Sequence, residues 1–288
     1  MSLEHPRKWF VPAAAVAVAA LLLAGAAALT GFRPSRGTAG TLRVVTSSTL
    51  LGSAVAEIAG DRVSVETLIA PGSCPGHYDL SPRDTRAISS SDLVLTHGYE
   101  AFVDRIVDSM GAGGPGVVKI RVDDNWLIPD VYVRGARLVA KALRAADPSG
   151  SGSYRASLAL LETRVEQVSR RVKQKLAAAN VSDAAVFCSD QQAPLVRWMG
   201  FEVVRTYSRA EEFTPAELRR LNAIARKERI ALVIDNLQSG PIAGRQLAAD
   251  IGAAHVTLSS FPGGFPGTDT WSECLEDNVD RVLKGLSE

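Results

Sequence analysis

The chain has 288 residues, with 32 Lys and Arg against 31 Asp and Glu, four His, three Cys and 46% hydrophobic residues. Such a balance belongs to a folded protein, and the length suits two domains of about 100–150 residues each. Near-neutral charge argues against a nucleic-acid binder, three scattered cysteines against a disulfide scaffold or zinc ribbon, and 6% aromatics against a stacking platform.

Residues 10–32 carry no charge, 19 of those 23 are hydrophobic, and Arg7 and Lys8 precede them. This is the pattern of a signal peptide or a membrane anchor, long enough for one transmembrane helix of about 20 residues. Ala26-Ala27-Ala28 offers a cleavage site, no cysteine follows closely for a lipid, and Thr30 to Gly40 reads as a linker. Residues 1–40 are therefore set apart from the fold, with cleavage and anchoring both open. Without them the body has 28 basic and 30 acidic residues, a net charge of −2. It is expected to be exported, on the periplasmic or extracellular face.

From residue 41 on, short β-branched runs alternate with loops and helical patterns. In the first half, 41–150, they are Leu42–Thr46, Val63–Leu68, Leu93–Thr96 and Val117–Ile120. In the second half, 181–288, they are Ala184–Cys188, Glu202–Thr206, Ala231–Asp235 and His255–Leu258. Near-continuous apolar strands alternating with helices predict parallel sheets covered on both faces. Between the halves, 151–180 predicts a long helix with Leu158, Leu161, Val165, Val168, Val172 and Leu176 on one stripe. Pro148-Ser-Gly-Ser-Gly-Ser marks the edge before it. Thr214-Pro-Ala-Glu217 starts a further helix, and Gly252 ends another. The expected fold is α/β: two lobes, each a parallel sheet flanked by helices, joined by one long linking helix.

Ligands of open parallel sheets bind beyond the carboxyl ends of the strands. That rule selects His77 after the second strand, His97 after the third, and Asp123-Asp124-Asn125 after the fourth. It selects Ser189-Asp190-Gln191 after the fifth, Asn236 and Gln238 after the seventh, and Ser259-Ser260 after the eighth. Glu211-Glu212 lie beyond the sixth, and His255, at a strand's start, should face away. No nucleophile elbow or Walker loop is present, and the glycines of Gly111–Gly116 precede a strand, the wrong end for phosphate. Adjacent carboxylates read as solvated loop charges. The cleft is a binding cleft, and no enzyme is expected.

Pro71-Gly-Ser-Cys-Pro-Gly-His77-Tyr78-Asp-Leu-Ser-Pro82-Arg-Asp84, then Ser91-Asp-Leu-Val-Leu-Thr-His-Gly98-Tyr-Glu100, resembles the zinc- and manganese-binding solute-binding proteins of ABC importers. Their His-x-Tyr-type motif falls at Gly76-His77-Tyr78, and Asp123-Asp-Asn-Trp126-Leu-Ile-Pro129 is similar to their Trp-Leu-x-Pro segment. The resemblance extends over 41–288, including the long helix and Asp235-Asn-Leu-Gln-Ser-Gly240. It implies a monomer that captures a transition-metal ion, zinc or manganese, and hands it to a membrane permease driven by an ATPase. The family's four ligand positions fall at Gly76 or His77, at Asp124 or Asn125, around Cys188 to Gln191, and around Asn236 or Ser259-Ser260.

The metal ligands implied in this way are His77, Asp124, Asp190 and Cys188, with Cys74 as an alternative fourth. Zinc favours such nitrogen and sulfur donors, and manganese tolerates carboxylate, amide oxygen and water around one His. Copper would need Cys74 and His77 with Cys188 or Met199. Amides at Asn125, Gln191 and Gln238 keep a metal chelate or small organic solute as the second reading, and with Asn236, His97 and Ser259 they form the expected cleft lining. A Cys74–Cys188 disulfide is the competing use of those thiols, with Cys274 left over. Rival classes are an anchored hydrolase, which requires turnover, and an exported metal chaperone, which requires another exported partner.

Overall fold

A computed structural model describes residues 41–209 and 212–287; the leader segment 10–32 and Glu211 lie outside them. Among the described residues no helix is long and apolar enough to cross a membrane.

The first sheet contains β1 (Leu42–Thr46), β2 (Val63–Thr67), β3 (Leu93–Thr96) and β4 (Gly116–Lys119), all parallel, in the order β2-β1-β3-β4. The second contains β5 (Ala185–Ser189), β6 (Glu202–Tyr207), β7 (Ile230–Asn236) and β8 (Ala254–Leu258), parallel, in the order β6-β5-β7-β8. One winding is thus used twice. Strand order reverses between β1 and β3 and again between β5 and β7, and a crevice opens at each reversal beyond the carboxyl ends.

Helices cover the sheets because their apolar faces need burial. Helix α1 (Thr49–Ala59) is buried along most of its length, capped by Ser48, whose hydroxyl accepts from the Leu51 amide. Helix α2 (Pro82–Ser90) opens with a capping box between Ser81 and Asp84, and α3 (Ala101–Met110) follows β3. Helix α4 (Pro129–Ala146) leads to α5 (Ser151–Ala178), the expected linking helix. Leu161, Val165, Val168, Val172 and Leu176 form its buried stripe, and Leu158 packs at the edge. In the second half, α6 (Ala193–Met199), α7 (Pro215–Ala225), α8 (Ile242–Ile251) and α9 (Trp271–Ser287) alternate with the strands. Thr214 caps α7 by accepting from the Glu217 amide at 3.1 Å, and Gly252 ends α8 at φ 71°.

One apolar core serves both sheets. It runs from Val44 and Leu95 through the α5 stripe to Val186, Leu232 and Val282. Helix α5 packs on α1, α4 and α9, so elements from both ends of the chain meet on it. Ion pairs fix its register on their exposed sides: Arg164–Glu57 at 2.9 Å, Arg171–Glu276 at 2.8 Å and Lys175–Asp280 at 2.6 Å. Exposed pairs of this kind each contribute at most about 1 kcal/mol. The stripe beneath them supplies the cohesion.

Candidate metal site

The two crevices meet in a single cavity of about 490 Å³. Its walls come from α1 (Leu50), the turn after β3 (His97, Gly98, Tyr99) and the segment after β4 (Arg121 to Trp126). The second lobe adds Asp190, Gln191 and Pro194 after β5, and Ser260 and Phe261 after β8. Every polar wall follows the end of a strand, as the topology demands.

The turn after β3 is built around a buried carboxylate. Glu100, 5% exposed, accepts from Ser47 Oγ at 2.5 Å, from the His97 amide at 3.1 Å and from the Gly98 amide at 2.8 Å. Gly98 at φ 93° lets the chain double back over it, and a Cβ there would lie 2.8 Å from Arg121 Nε. The clamp presents the His97 ring to the cavity, stacked on Tyr99 and edge-on to Trp126. Trp126 lies flat against α4 because Gly135 has no side chain; a Cβ there would stand 2.3 Å from the indole. His97 Nε2 pairs with Ser48 Oγ at 2.7 Å. Burial, partly opposed by the Glu100 charge, pushes the imidazole pKa down to about 4.

That shift has a signed consequence for stability. Unfolded, His97 takes up a proton near pH 6.5; folded, it resists until about pH 4. The unfolded state binds more protons in that window, so stability is full above pH 6.5 and falls as pH drops toward 4. Denaturant titrations of metal-free protein are expected to lose on the order of 3 kcal/mol from this group across the window. His97→Gln should flatten that part of the profile; an unchanged slope would remove His97 as its cause.

The side chains selected from the sequence divide into three groups. Asp124, Asp190, Asn125, Gln191 and His97 line the cavity together, with Asp123 beside them. Asn125 Nδ2 spans the lobes to the Gln191 carbonyl at 3.2 Å, and Asp124 sits at φ 90° with its carboxylate accepting from the Asn125 amide at 2.7 Å.

Asn236, Gln238 and Ser259 lie behind the cavity, 3%, 6% and 0% exposed, and do not line it. Their polar atoms are engaged with one another and with their neighbours. Gln238 Nε2 donates to Ser259 Oγ at 2.9 Å and to the Pro71 carbonyl of the other lobe at 2.6 Å. Asn236 Oδ1 accepts from Gln192 Nε2 at 3.0 Å and Ser260 Oγ at 2.9 Å, while the Asn278 amide brackets the Ser259 backbone.

The third group stands apart from the cavity. His77 ends an exposed turn, Pro75–His77, and does not reach the cavity wall. Cys188 is 0% exposed, its thiol donates to the Ser189 carbonyl, and burial pushes its pKa far above the usual thiol range. Hence His77, Asp124, Asp190 and Cys188 do not assemble as a set, and among the described residues no three His, Cys, Asp or Glu side chains form a ready metal-holding group. All three cysteines are free, which corrects the disulfide alternative; Cys74 is half-buried with Arg209 Nη1 3.9 Å from its sulfur. Met199 belongs to the core, so the copper set is not assembled either. His255 is turned away as expected, paired with Asp235 at 2.7 Å.

Sequence reading passed over Ser47, Ser48, Tyr99, Arg121 and Gln192. The two serines follow β1 and obey the same strand-end rule that found the others. Gln192 is wholly buried, and its Oε1 is the one buried side-chain oxygen or nitrogen among the described residues without a partner.

Two lobes of identical winding, one stiff connecting helix and a cavity between strand ends that sets three carboxylates against one guanidinium define a cleft receptor, a protein that binds its solute without transforming it. The chain belongs to the family of the periplasmic zinc-uptake complex component A, whose model matches residues 44–285. It is 24% identical to the iron-binding protein YfeA of Yersinia pestis, with 99% of this chain and 100% of the relative covered. It is 22% identical to the manganese-binding lipoprotein MntA of Halalkalibacterium halodurans, with 86% and 89% covered. Among solved structures, ZnuA aligns with a TM-score of 0.73 at 20% identity, over 85% of this chain and 99% of that one. The periplasmic zinc binding protein TroA of Treponema pallidum gives 0.74 at 18% identity, over 86% and 99%. These likenesses establish the fold.

Proposed function

We propose that the protein captures a first-row divalent metal ion in the interlobe cavity and delivers it to an ABC permease powered by a cytoplasmic ATPase. The observation that carries this reading is the cavity itself: Asp123, Asp124 and Asp190 line it with Asn125 and Gln191, in a chain of a metal-uptake family. Oxygen acceptors outnumber the one guanidinium, Arg121, which favours a cationic solute. Manganese-, iron- and zinc-binding relatives support the same class of cargo.

The receptor works outside the cytoplasm as a monomer, with lobes 41–150 and 181–288 on either side of the linking helix. Several relatives, MntA among them, are named as lipoproteins, yet the first cysteine here is Cys74, within the folded body. Residues 10–32 therefore serve as signal peptide or anchor in place of a lipid. Release proceeds by small rocking, because α5 and the shared core oppose wide opening.

The test is calorimetric titration of the purified protein with Mn²⁺, Fe²⁺ and Zn²⁺, paired with melting curves. Metal that binds only the native form raises the melting temperature. Absence of any binding, with uptake of a metal chelate instead, would transfer the cleft to the second reading.

A further inference from the structure

We propose that His97, through Nδ1, is the single nitrogen donor to the cargo, and that Ser48 positions its ring; the ion is held by one imidazole, carboxylate oxygen and retained water. This rests on the metal-capture reading and specifies its chemistry.

Three histidines lie among the described residues, and His97 alone lines the cavity. His77 is exposed on its turn, and His255 is committed to Asp235. The His97 ring is 8% exposed and held on three sides. Tyr99 stacks at 5.4 Å between centroids, Trp126 meets it edge-on at 4.8 Å, and Ser48 Oγ holds Nε2 at 2.7 Å. No described residue bonds Nδ1.

A buried imidazole with one nitrogen engaged and the other unpartnered at a cavity wall is arranged like a metal-binding His. Such residues give their second N–H to a neighbour, which fixes the tautomer and leaves the ligating lone pair directed at the metal. Ser48 is a suitable neighbour because its own place is fixed as the cap of α1. The depressed pKa agrees, since a neutral ring needs no proton removed before it binds.

The companions of His97 are oxygens. Asp123 and Asp124 stand on the first lobe and Asp190 on the second. Among the described residues no three acidic, His or Cys side chains are assembled beforehand, and retained water completes the shell. Tetrahedral zinc sites are closed by protein nitrogen and sulfur, whereas manganese accepts carboxylate and water. This oxygen-rich donor set is of a kind that Mn²⁺ accepts.

Long-range proton–nitrogen NMR of the full-length, ¹⁵N-labelled protein separates its four imidazoles, with Zn²⁺ as a diamagnetic probe and Mn²⁺ for affinity. The His97 signals are identified by their disappearance in His97→Gln, or by contacts to Tyr99 ring protons should that variant not fold. The expected result is an Nε2–H tautomer in metal-free protein, an Nδ1 shift on Zn²⁺ addition, and at least tenfold weaker Mn²⁺ binding in His97→Gln. Ser48→Ala should mix the tautomers and weaken binding about tenfold, and Ser48→Thr should restore both. Metal binding with an unchanged His97 resonance, or with His77 shifting instead, overturns the proposal and leaves metal capture intact. A wild type that binds no metal overturns both.

Discussion

Trp271→Ala is expected to cost about 3–5 kcal/mol in urea unfolding, the range of a large buried aromatic truncated to Ala. Trp271 opens α9 of the second lobe, is fully buried, and stacks on Tyr132 of α4 with centroids 4.7 Å apart and planes 8° apart. Its Nε1 donates to the Trp126 carbonyl at 2.9 Å, and its amide to Ser53 Oγ at 3.2 Å. One residue thereby joins the last helix to α1, to α4 and to the segment that walls the cavity. Trp271→Phe keeps most of the ring contact while deleting the N–H, so it should cost about 1 kcal/mol and loosen the Trp126 segment. A loss below about 1 kcal/mol for the Ala variant would show that the indole is not the strut described here.

Combined Asp124→Asn and Asp190→Asn is expected to weaken Mn²⁺ binding about 100-fold, with roughly tenfold, or 1.4 kcal/mol, from each change. Asparagine preserves shape and one oxygen while removing the charge. The carboxylates come from opposite lobes, so each single change should act on the closed, ion-loaded form more than on the empty one. Calorimetry at two salt concentrations provides the measurement, because loss of surface-accessible charge also reduces salt sensitivity. An affinity within threefold of wild type would remove these carboxylates from the site.

The central strands β1, β3, β5 and β7 were legible because strands buried on both faces spell near-continuous apolar runs, and the half-exposed edge strands by their β-branched residues; each lies within two residues of its expected position. The α5 stripe was legible for the same reason, burial at helical spacing. The site was legible only in part, since the strand-end rule fixes where a residue stands in the chain but not what its side chain already holds. Asn236, Gln238 and Ser259 stand at strand ends yet satisfy one another behind the wall, a network no spacing announces. Cys188 sits in β5 with its thiol in the core. His77 belongs to an exposed turn, and only its neighbour Tyr78 is anchored, its hydroxyl donating to the Leu68 carbonyl at 2.9 Å. Gly98-Tyr-Glu100 was visible as part of a resemblance, but its service as a clamp emerges only when Ser47 and two amides are seen converging on Glu100.

The final helix also dictates the order in which the molecule becomes itself. Ser53, Trp126 and Tyr132 gain their contacts across the core only when Trp271 arrives, and Arg171 and Lys175 wait for Glu276 and Asp280. A chain made from its amino end therefore carries an unfinished first lobe until its last 17-residue helix is free to dock. Closure of the core across both sheets thus waits on the last helix to be made.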